Sequence, residues 1–156
     1  MLKVFADTNV ILDYFVSRAP FDQEAQLLLF GCAMHDYELW ISSSQITDLF
    51  YILTHGSSKT SARNTKQTLK TLREHLRVAS LTEQDVDHAL AMTWDDFEDA
   101  CVYCAAKRIG AAYLVTRNKK DFIDPAIGIV NPHEFLDVLS TSHGITYHQL
   151  DSLTLQ

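Results

Sequence analysis

The fold is indicated by Leu2-Lys3-Val4-Phe5-Ala6-Asp7-Thr8-Asn9, in which a short apolar run ends abruptly in three polar residues. Such a run is typical of a buried strand. The segments Leu39-Trp40-Ile41 and Tyr113-Leu114-Val115 have the same form, and apolar residues at helical spacing lie between them. Alternating strands and helices predict an α/β protein, a three-layer α/β/α sandwich around a mostly parallel sheet of about five strands.

The remaining elements are predicted from apolar spacing, caps and breaks at Gly or Pro. Weaker strands are predicted at residues 78–81 and 127–130. Because no linker or internal repeat interrupts the pattern, we expect one domain over residues 1–139, with residues 140–156 as its C-terminal appendage. Helices are predicted after Asn9, after Pro20, from Ser42 through Leu53, from about Lys59 to Arg77, and at residues 82–92, 97–109 and 132–139.

The composition is that of an ordinary soluble chain of 156 residues, 47% hydrophobic and 21% charged. This length is enough to bury a core without disulfides, and the balance excludes disordered and collagen-like classes. No apolar run approaches the roughly 18 residues that cross a bilayer, and Asp7 interrupts the N-terminus where a signal sequence would need apolar residues. We therefore expect a cytoplasmic protein with no membrane partner.

The three cysteines are an odd number in a chain that does not resemble a secreted protein, which predicts free thiols. Cys101 and Cys104 have CxxC spacing, but they lie within a predicted helix and lack a second Cys or His pair at zinc spacing. We therefore expect both to be small core residues. The five glycines form no phosphate-binding loop, which argues against nucleotide-driven chemistry.

Charge is separated along the chain, although the net charge of −7 by itself argues against a polyanionic substrate. Six of the thirteen basic residues lie between residues 59 and 77, and their spacing of 4, 3, 4, 3 and 4 forms one stripe on a helix. Such a stripe is either a solvated face or a track for an RNA backbone. Its members are Lys59, Arg63, Lys66, Lys70, Arg73 and Arg77.

Carboxylates follow the predicted strands at the end where ligands bind in open parallel sheets. Asp7 follows the first strand, and Asp121 lies shortly after the strand that ends at residue 115. Asp48 lies in the first turns of the helix after the second strand, and Asp96 and Asp99 lie at the start of a later helix. We expect these four or five carboxylates to share one pocket.

Carboxylates placed so close together repel one another and raise one another's pKa. Mg²⁺ or Mn²⁺ relieves this repulsion, because both ions prefer oxygen ligands. Two such ions roughly 4 Å apart activate a water and stabilise the leaving oxygen of a phosphodiester. The pocket therefore suits phosphoryl chemistry. Taken singly, Asp96 with Asp99, and Asn118 with Asp121, are also spaced as helix caps.

Three blocks of the chain resemble the signature blocks of PIN domains. They are Phe5-Ala6-Asp7-Thr8-Asn9-Val10, Asp96-Phe97-Glu98-Asp99-Ala100 and Leu114-Val115-Thr116-Arg117-Asn118-Lys119-Lys120-Asp121-Phe122. They occur in the family's order, and the resemblance extends over residues 2–139. PIN domains include metal-dependent ribonucleases, among them VapC-type toxins of bacterial toxin-antitoxin pairs. The resemblance implies an endoribonuclease that uses Mg²⁺ or Mn²⁺ on RNA, with an antitoxin and a second copy of the chain as expected partners.

Matched block by block, the resemblance implies Asp7, Asp99 and Asp121 as metal ligands. The second acid of the family is commonly Glu, and the matching residue here, Asp48, is one methylene shorter. It would reach the metal through a water or through a closer approach of its helix. The residues expected to support these four catalytic acids are Asn9, Thr116, Asn118 and Asp96.

Two other functions fit parts of the pattern. A haloacid-dehalogenase-like phosphatase also ends its first strand with a catalytic Asp, but it needs a second Asp where this chain has Asn9. A non-catalytic PIN-fold module, weakened at Asp48, would bind RNA or a protein through its basic helix. Metal affinity at the acidic edge distinguishes that module from the enzyme.

Overall fold

A five-stranded sheet, parallel throughout, forms the centre of the computed structural model, which describes residues 1–55, 61–123 and 126–147. The strands are β1 (Lys3–Ala6), β2 (Glu38–Ser42), β3 (Arg77–Ala79), β4 (Tyr113–Val115) and β5 (Gly128–Val130). The helices are α1 (Thr8–Phe15), α2 (Asp22–Ala33), α3 (Ser43–His55), α4 (Ala62–His75), α5 (Glu83–Ala91), α6 (Phe97–Arg108) and α7 (Pro132–His143), with a single 3-10 turn at Lys119–Asp121.

Helices cover both faces of the sheet, which makes the three layers expected from the sequence. In β1, the side chains of Val4 and Ala6 pack in one core cluster with α1, α2, α3, α4 and α7, whereas Phe5 packs in a second cluster with α6. This alternation follows from the two-residue period of a strand. Because both faces are buried, the strands are short apolar runs, which is why they could be recognised in the sequence.

The strand order β3-β2-β1-β4-β5 places the first strand at the centre of the sheet. The chain builds β2 and β3 on one side of β1 and then returns to build β4 and β5 on the other. In the register, Ala6 lies beside Val115, so the residues that follow these two strands emerge together. Ligands bind at such a switch point in open α/β sheets. A ligand site is therefore expected at the edge beyond β1 and β4.

The predicted long helix at 59–77 was wrong at its C-terminal end, because α4 stops at His75 and Arg77 begins β3. Leu76 between them is extended, with φ −106° and ψ 162°, and its side chain is fully buried. The Arg73 guanidinium donates to the Leu76 carbonyl at 2.9 Å. Burial of Leu76 thus overrides the helical period, and β3 lies one residue earlier than predicted. Lys59 lies outside the described residues.

The last helix continues beyond the predicted end at residue 139, to a left-handed Gly144 with φ +67°. The chain then reaches Tyr147, whose ring packs edge-on against Phe30 and whose hydroxyl donates to Asp36 Oδ2 at 2.6 Å. A side chain at Gly31 would clash with the Tyr147 ring. The part of the appendage beyond Tyr147 lies outside the described residues.

All three cysteines are buried and free, which confirms the prediction of unpaired thiols. Cys101 and Cys104 lie in α6 and pack in the second core cluster, as expected for core residues. Among the described helices, none combines the length and the apolar character that a membrane span requires.

Candidate functional site

Asp7 lies directly after β1, and its carboxylate is held by a residue that follows β4 and by a residue of α1. Its backbone N–H donates to the Val115 carbonyl at 2.9 Å, which fixes it at the junction of the two strands. Its Oδ2 accepts hydrogen bonds from Thr116 Oγ1 at 2.7 Å and from Asn9 Nδ2. Only 4% of the residue is exposed, and burial raises the pKa of Asp7 although the Thr116 hydroxyl opposes that shift.

The Thr116 hydroxyl links Asp7 to Asn9 and Asn118, two of the other residues predicted to support the site. It donates its hydrogen to Asp7 and accepts from the Asn118 backbone N–H at 2.9 Å and from Asn9 Nδ2 at 3.3 Å. Thr116 is fully buried, so its rotamer is locked by packing as well as by these bonds. Asn9 Oδ1 also accepts from the backbone N–H of Arg117 at 3.3 Å. The network sets the direction in which the Asp7 carboxylate points.

An ion pair that the sequence did not predict ties the loop after β4 to α1. Arg117 Nε lies 2.6 Å from Oδ2 of Asp13, a residue of α1 that is only 1% exposed. The guanidinium also lies over the Phe21 ring, 4.6 Å from its centroid. A buried carboxylate requires a partner, so this pair fixes the loop that leads to Asp121. No local pattern indicates this pair, because Asp13 lies off the stripe that Val10, Ile11 and Tyr14 form on the first helix.

The start of α6 supplies Asp99 and its cap. Asp96 is the N-cap, and its Oδ1 accepts from the Asp99 backbone N–H at 3.1 Å. Asp99 itself is 7% exposed and faces the cluster. Burial, followed by the charges of Asp7, Asp96, Glu98 and Asp121, raises the pKa of Asp99 to about 7. Carboxylates from three separate segments, those of Asp7, Asp99 and Asp121, are therefore near enough for their charges to interact. Asp96 therefore caps α6 and also adds its charge to the acidic cluster.

Glu98 is a site carboxylate that the sequence analysis did not select. Its Oε1 accepts from the Thr8 hydroxyl at 3.1 Å. Partial burial, then the charges of Asp48, Asp7 and Asp96, raise the pKa of Glu98. Glu98 precedes Asp99 in a segment rich in acids, and a helix start directs consecutive side chains to different sides. Only the position of α1 beside α6 shows that Glu98 also turns toward the site.

Asp48 and Asp121 complete the set of predicted acids, and both are half-buried. Asp48, on α3, acts on the cluster through its charge on Glu98. Asp121 accepts a hydrogen bond from Asn118 Nδ2 and contributes its charge to Asp99. The structure thus brings all four predicted catalytic acids to one edge.

The start of α3, which carries Asp48, is fixed by a buried glutamine. Gln45 Nε2 donates to the Ala6 carbonyl at 2.9 Å and to Thr8 Oγ1 at 3.1 Å, and its Oε1 accepts from the Ser42 N–H at 2.6 Å. Gln45 is fully buried, so these bonds replace those that water would make. They hold α3 against β1 and set the distance of Asp48 from Asp7.

The donor set fits a hard divalent cation. All of its side-chain donors are oxygens, and the raised pKa values of Asp7, Glu98 and Asp99 reflect burial and negative charge that a cation would compensate. Within the described ranges, no three His, Cys, Asp or Glu side chains converge on a point where they could hold a metal ion together. Mg²⁺ keeps several waters and is commonly held by one or two carboxylates plus phosphate oxygens, so this spacing is compatible with it.

The basic stripe is exposed on α4. Arg63, Lys66, Lys70 and Arg73 all lie on the solvent side of this helix, while Leu69 and Leu72 pack into the core as predicted. Arg77 is also exposed but belongs to β3. Four of the six predicted residues therefore form the stripe on α4.

Comparison with known proteins gives related sequences. A family model described as a PIN domain matches residues 3–120. Ribonuclease VapC1 of Aquifex aeolicus (strain VF5) is 27% identical over a 144-residue alignment that covers 89% of this chain and 96% of that protein.

Solved structures share the fold. A toxin-antitoxin complex from Klebsiella pneumoniae matches with a TM-score of 0.61 and 21% identity, over 83% of this chain and 97% of that one. Mycobacterium tuberculosis VapC20, described as a sarcin-ricin loop cleaving toxin, matches with a TM-score of 0.57 and 16% identity, over 71% of this chain and 86% of that one. The family model spans three-quarters of the sequence and includes Asp7, Asp48 and Asp99, but it ends one residue before Asp121. This chain belongs to the PIN domain family.

Proposed function

We propose that this protein is a metal-dependent endoribonuclease that uses Mg²⁺ or Mn²⁺ to hydrolyse RNA phosphodiester bonds. The observation that carries the proposal is that Asp7, Asp99 and Asp121 lie at the same edge of the sheet, near enough for their charges to interact, where burial and then mutual repulsion raise the pKa of Asp99 to about 7. Folding carboxylates into such a site is unfavourable unless a cation completes it. The relationship to Ribonuclease VapC1 supports RNA as the substrate class.

The site residues take distinct roles in this proposal. Asp7 and Asp99 hold the cation, Asp121 completes the site, and Asp48 acts through its neighbour Glu98 or through a water. A bound cation would supply an activated water and stabilise the leaving oxygen. The Thr116 hydroxyl keeps the Asp7 carboxylate aimed at the site.

Cation binding at this site is also linked to the protonation of Asp99. At neutral pH, Asp99 carries a proton for part of the time, since its pKa lies near 7. Cation binding displaces that proton from the Asp99 carboxyl. The affinity for the cation is therefore expected to rise with pH through neutrality.

The proposed function also includes contact with RNA through the basic stripe and binding to protein partners. The stripe of Arg63, Lys66, Lys70 and Arg73 would follow the phosphate backbone and offset the repulsion between RNA and the acidic site. As in VapC-type PIN domains, we propose a homodimer that is the toxin of a toxin-antitoxin pair and acts in the cytoplasm, where its RNA substrate is found. Family membership leaves the haloacid-dehalogenase alternative without support, whereas a non-catalytic module stays an outcome of the test below.

The test compares Asp7→Asn with the unsubstituted protein and with Asp95→Asn, which removes an exposed acid from the same acidic segment. Calorimetric titration with Mn²⁺ should show binding to the unsubstituted protein and Asp95→Asn, but not to Asp7→Asn. Cleavage of single-stranded RNA should follow the same order. Equal Mn²⁺ affinity in all three would contradict the metal assignment, and a folded unsubstituted protein that binds RNA but neither binds Mn²⁺ nor cleaves RNA would be the non-catalytic module.

A further inference from the structure

Two aromatic side chains on α3, Tyr51 and His55, are stacked on one another and are not part of the site described above. Their ring centroids are 4.6 Å apart, with an interplanar angle of 20°. Tyr51 is 64% exposed, so the pair is on the surface. Nothing in the core requires these rings there, since the buried residues of this part of α3 are Leu49 and Leu53.

The ring pair is locked in place. The Thr54 hydroxyl donates its hydrogen to the Phe50 carbonyl at 2.7 Å, so its oxygen accepts from His55 Nδ1, 2.8 Å away. His55 Nδ1 also lies 3.1 Å from the Tyr51 carbonyl, which can only accept. Both contacts are satisfied when the proton of the neutral imidazole is on Nδ1. The platform is therefore preorganised before any ligand arrives.

The pair lies on the same helical face as an acid of the candidate site. Tyr51 and His55 follow Asp48 by three and seven residues, which places all three on one side of α3. At 1.5 Å per residue, the two rings lie roughly 5 and 10 Å along the helix from Asp48. Asp48 is near enough to Glu98 for their charges to interact. This face of α3 therefore begins beside the acidic cluster, and the two rings lie farther along it.

We infer that Tyr51 and His55 form a stacking platform for a base of the RNA strand as the strand leaves the acidic cluster. Single-stranded RNA is recognised largely by bases that stack on Phe, Tyr, Trp or His rings. The neighbouring helix α4, which packs against α3, presents exposed basic residues that suit a polyanion. This inference rests on the proposed function, because it assumes that the acidic cluster acts on RNA.

The experiment measures binding of a short, fluorescein-labelled single-stranded RNA by anisotropy, in an Asp7→Asn background that prevents cleavage. Tyr51→Ala should weaken binding by roughly 5- to 150-fold, the range for loss of one base–aromatic stack. Tyr51→Phe should bind like the parent, because it keeps the ring. Ile52→Ala is the matched control, since Ile52 is the neighbouring apolar residue on α3 and is 38% exposed.

A second measurement identifies the stack itself. RNAs that carry a single abasic residue at successive positions should lose affinity for the parent protein at one position. Tyr51→Ala should show no further loss at that position, because the stack is already absent. Thermal unfolding of Tyr51→Ala should match the parent, which keeps the comparison free of folding effects.

The outcomes separate this inference from the proposed function. If the unsubstituted protein neither binds nor cleaves RNA, the proposed function fails and the platform fails with it. If it cleaves RNA, and Tyr51→Ala binds as the parent does, the platform alone is overturned. If Tyr51→Ala and Ile52→Ala both change the oligomeric state while RNA affinity per site is unchanged, the face is a protein interface and the inference is wrong.

Discussion

Replacing Asp99 with Asn should stabilise the metal-free protein, by an amount that grows with pH. The pKa of Asp99 is raised from 3.8 to about 7, with burial as the largest cause and the neighbouring carboxylates next. The unfolded chain ionises near the ordinary value, whereas the folded protein retains the proton until pH approaches 7. Folded wild-type protein is therefore progressively destabilised between about pH 4 and pH 7, and the loss is constant above that range.

The size of the effect follows from the shift. One pKa unit corresponds to about 1.4 kcal/mol, so the full penalty above neutrality is about 4 kcal/mol, as an upper limit. At about pH 5 the penalty is less than half of this, so the advantage of Asp99→Asn should grow by about 2–3 kcal/mol between about pH 5 and pH 8. For a chain of this size that is roughly 5–10 °C in Tm. The substitution keeps the backbone N–H that Asp96 caps.

The assay is thermal unfolding with a chelator, across this pH range, for wild type, Asp99→Asn and the control Asp95→Asn. Asp95 is exposed and lies in the same segment, so its variant should follow the wild-type curve. With excess Mn²⁺ the order should reverse, because only proteins that bind the cation gain stability from it. Parallel pH curves for wild type and Asp99→Asn would refute the argument that burial and neighbouring charge hold the Asp99 proton.

Two further predictions concern the edges of the site. Asp48→Glu should preserve or raise the initial rate on single-stranded RNA at saturating Mn²⁺, because the added methylene extends the carboxylate toward the cluster; a fall in rate would show that Asp48 is a direct ligand in a tight shell. Reversing two charges with Lys66→Glu and Lys70→Glu should weaken RNA binding and reduce the slope of log affinity against log salt by about 0.7 for each phosphate that is no longer neutralised. Asn64→Glu, an exposed position away from the stripe on the same helix, should change both quantities less, and an unchanged slope in the double variant would make the stripe a solvated face.

The local sequence was sufficient for the strands that pass through the core. Val4, Phe5 and Leu114 are buried on both faces of a parallel sheet, so their segments are continuous apolar runs that end in polar residues. The same signal located Asp7 and Thr116 at strand ends. At Leu76 the apolar spacing continues the helical pattern, but the residue is extended and leads into β3. A periodic stripe does not show where a helix ends and the next strand begins, so the predicted helix was too long.

Tertiary structure alone decided how the acids relate to one another. Asp7, Asp48, Asp99 and Asp121 come from four separate segments, and their chemistry as a site depends on the order β2-β1-β4, which no local pattern contains. Glu98 and the Asp13–Arg117 pair entered the site only through the packing of α1 against its neighbours. Residue type and strand ends are local properties, so the residues that can carry the chemistry could be predicted from the sequence. The structure determined which of them share one electrostatic environment, because distance and burial depend on contacts between distant parts of the chain.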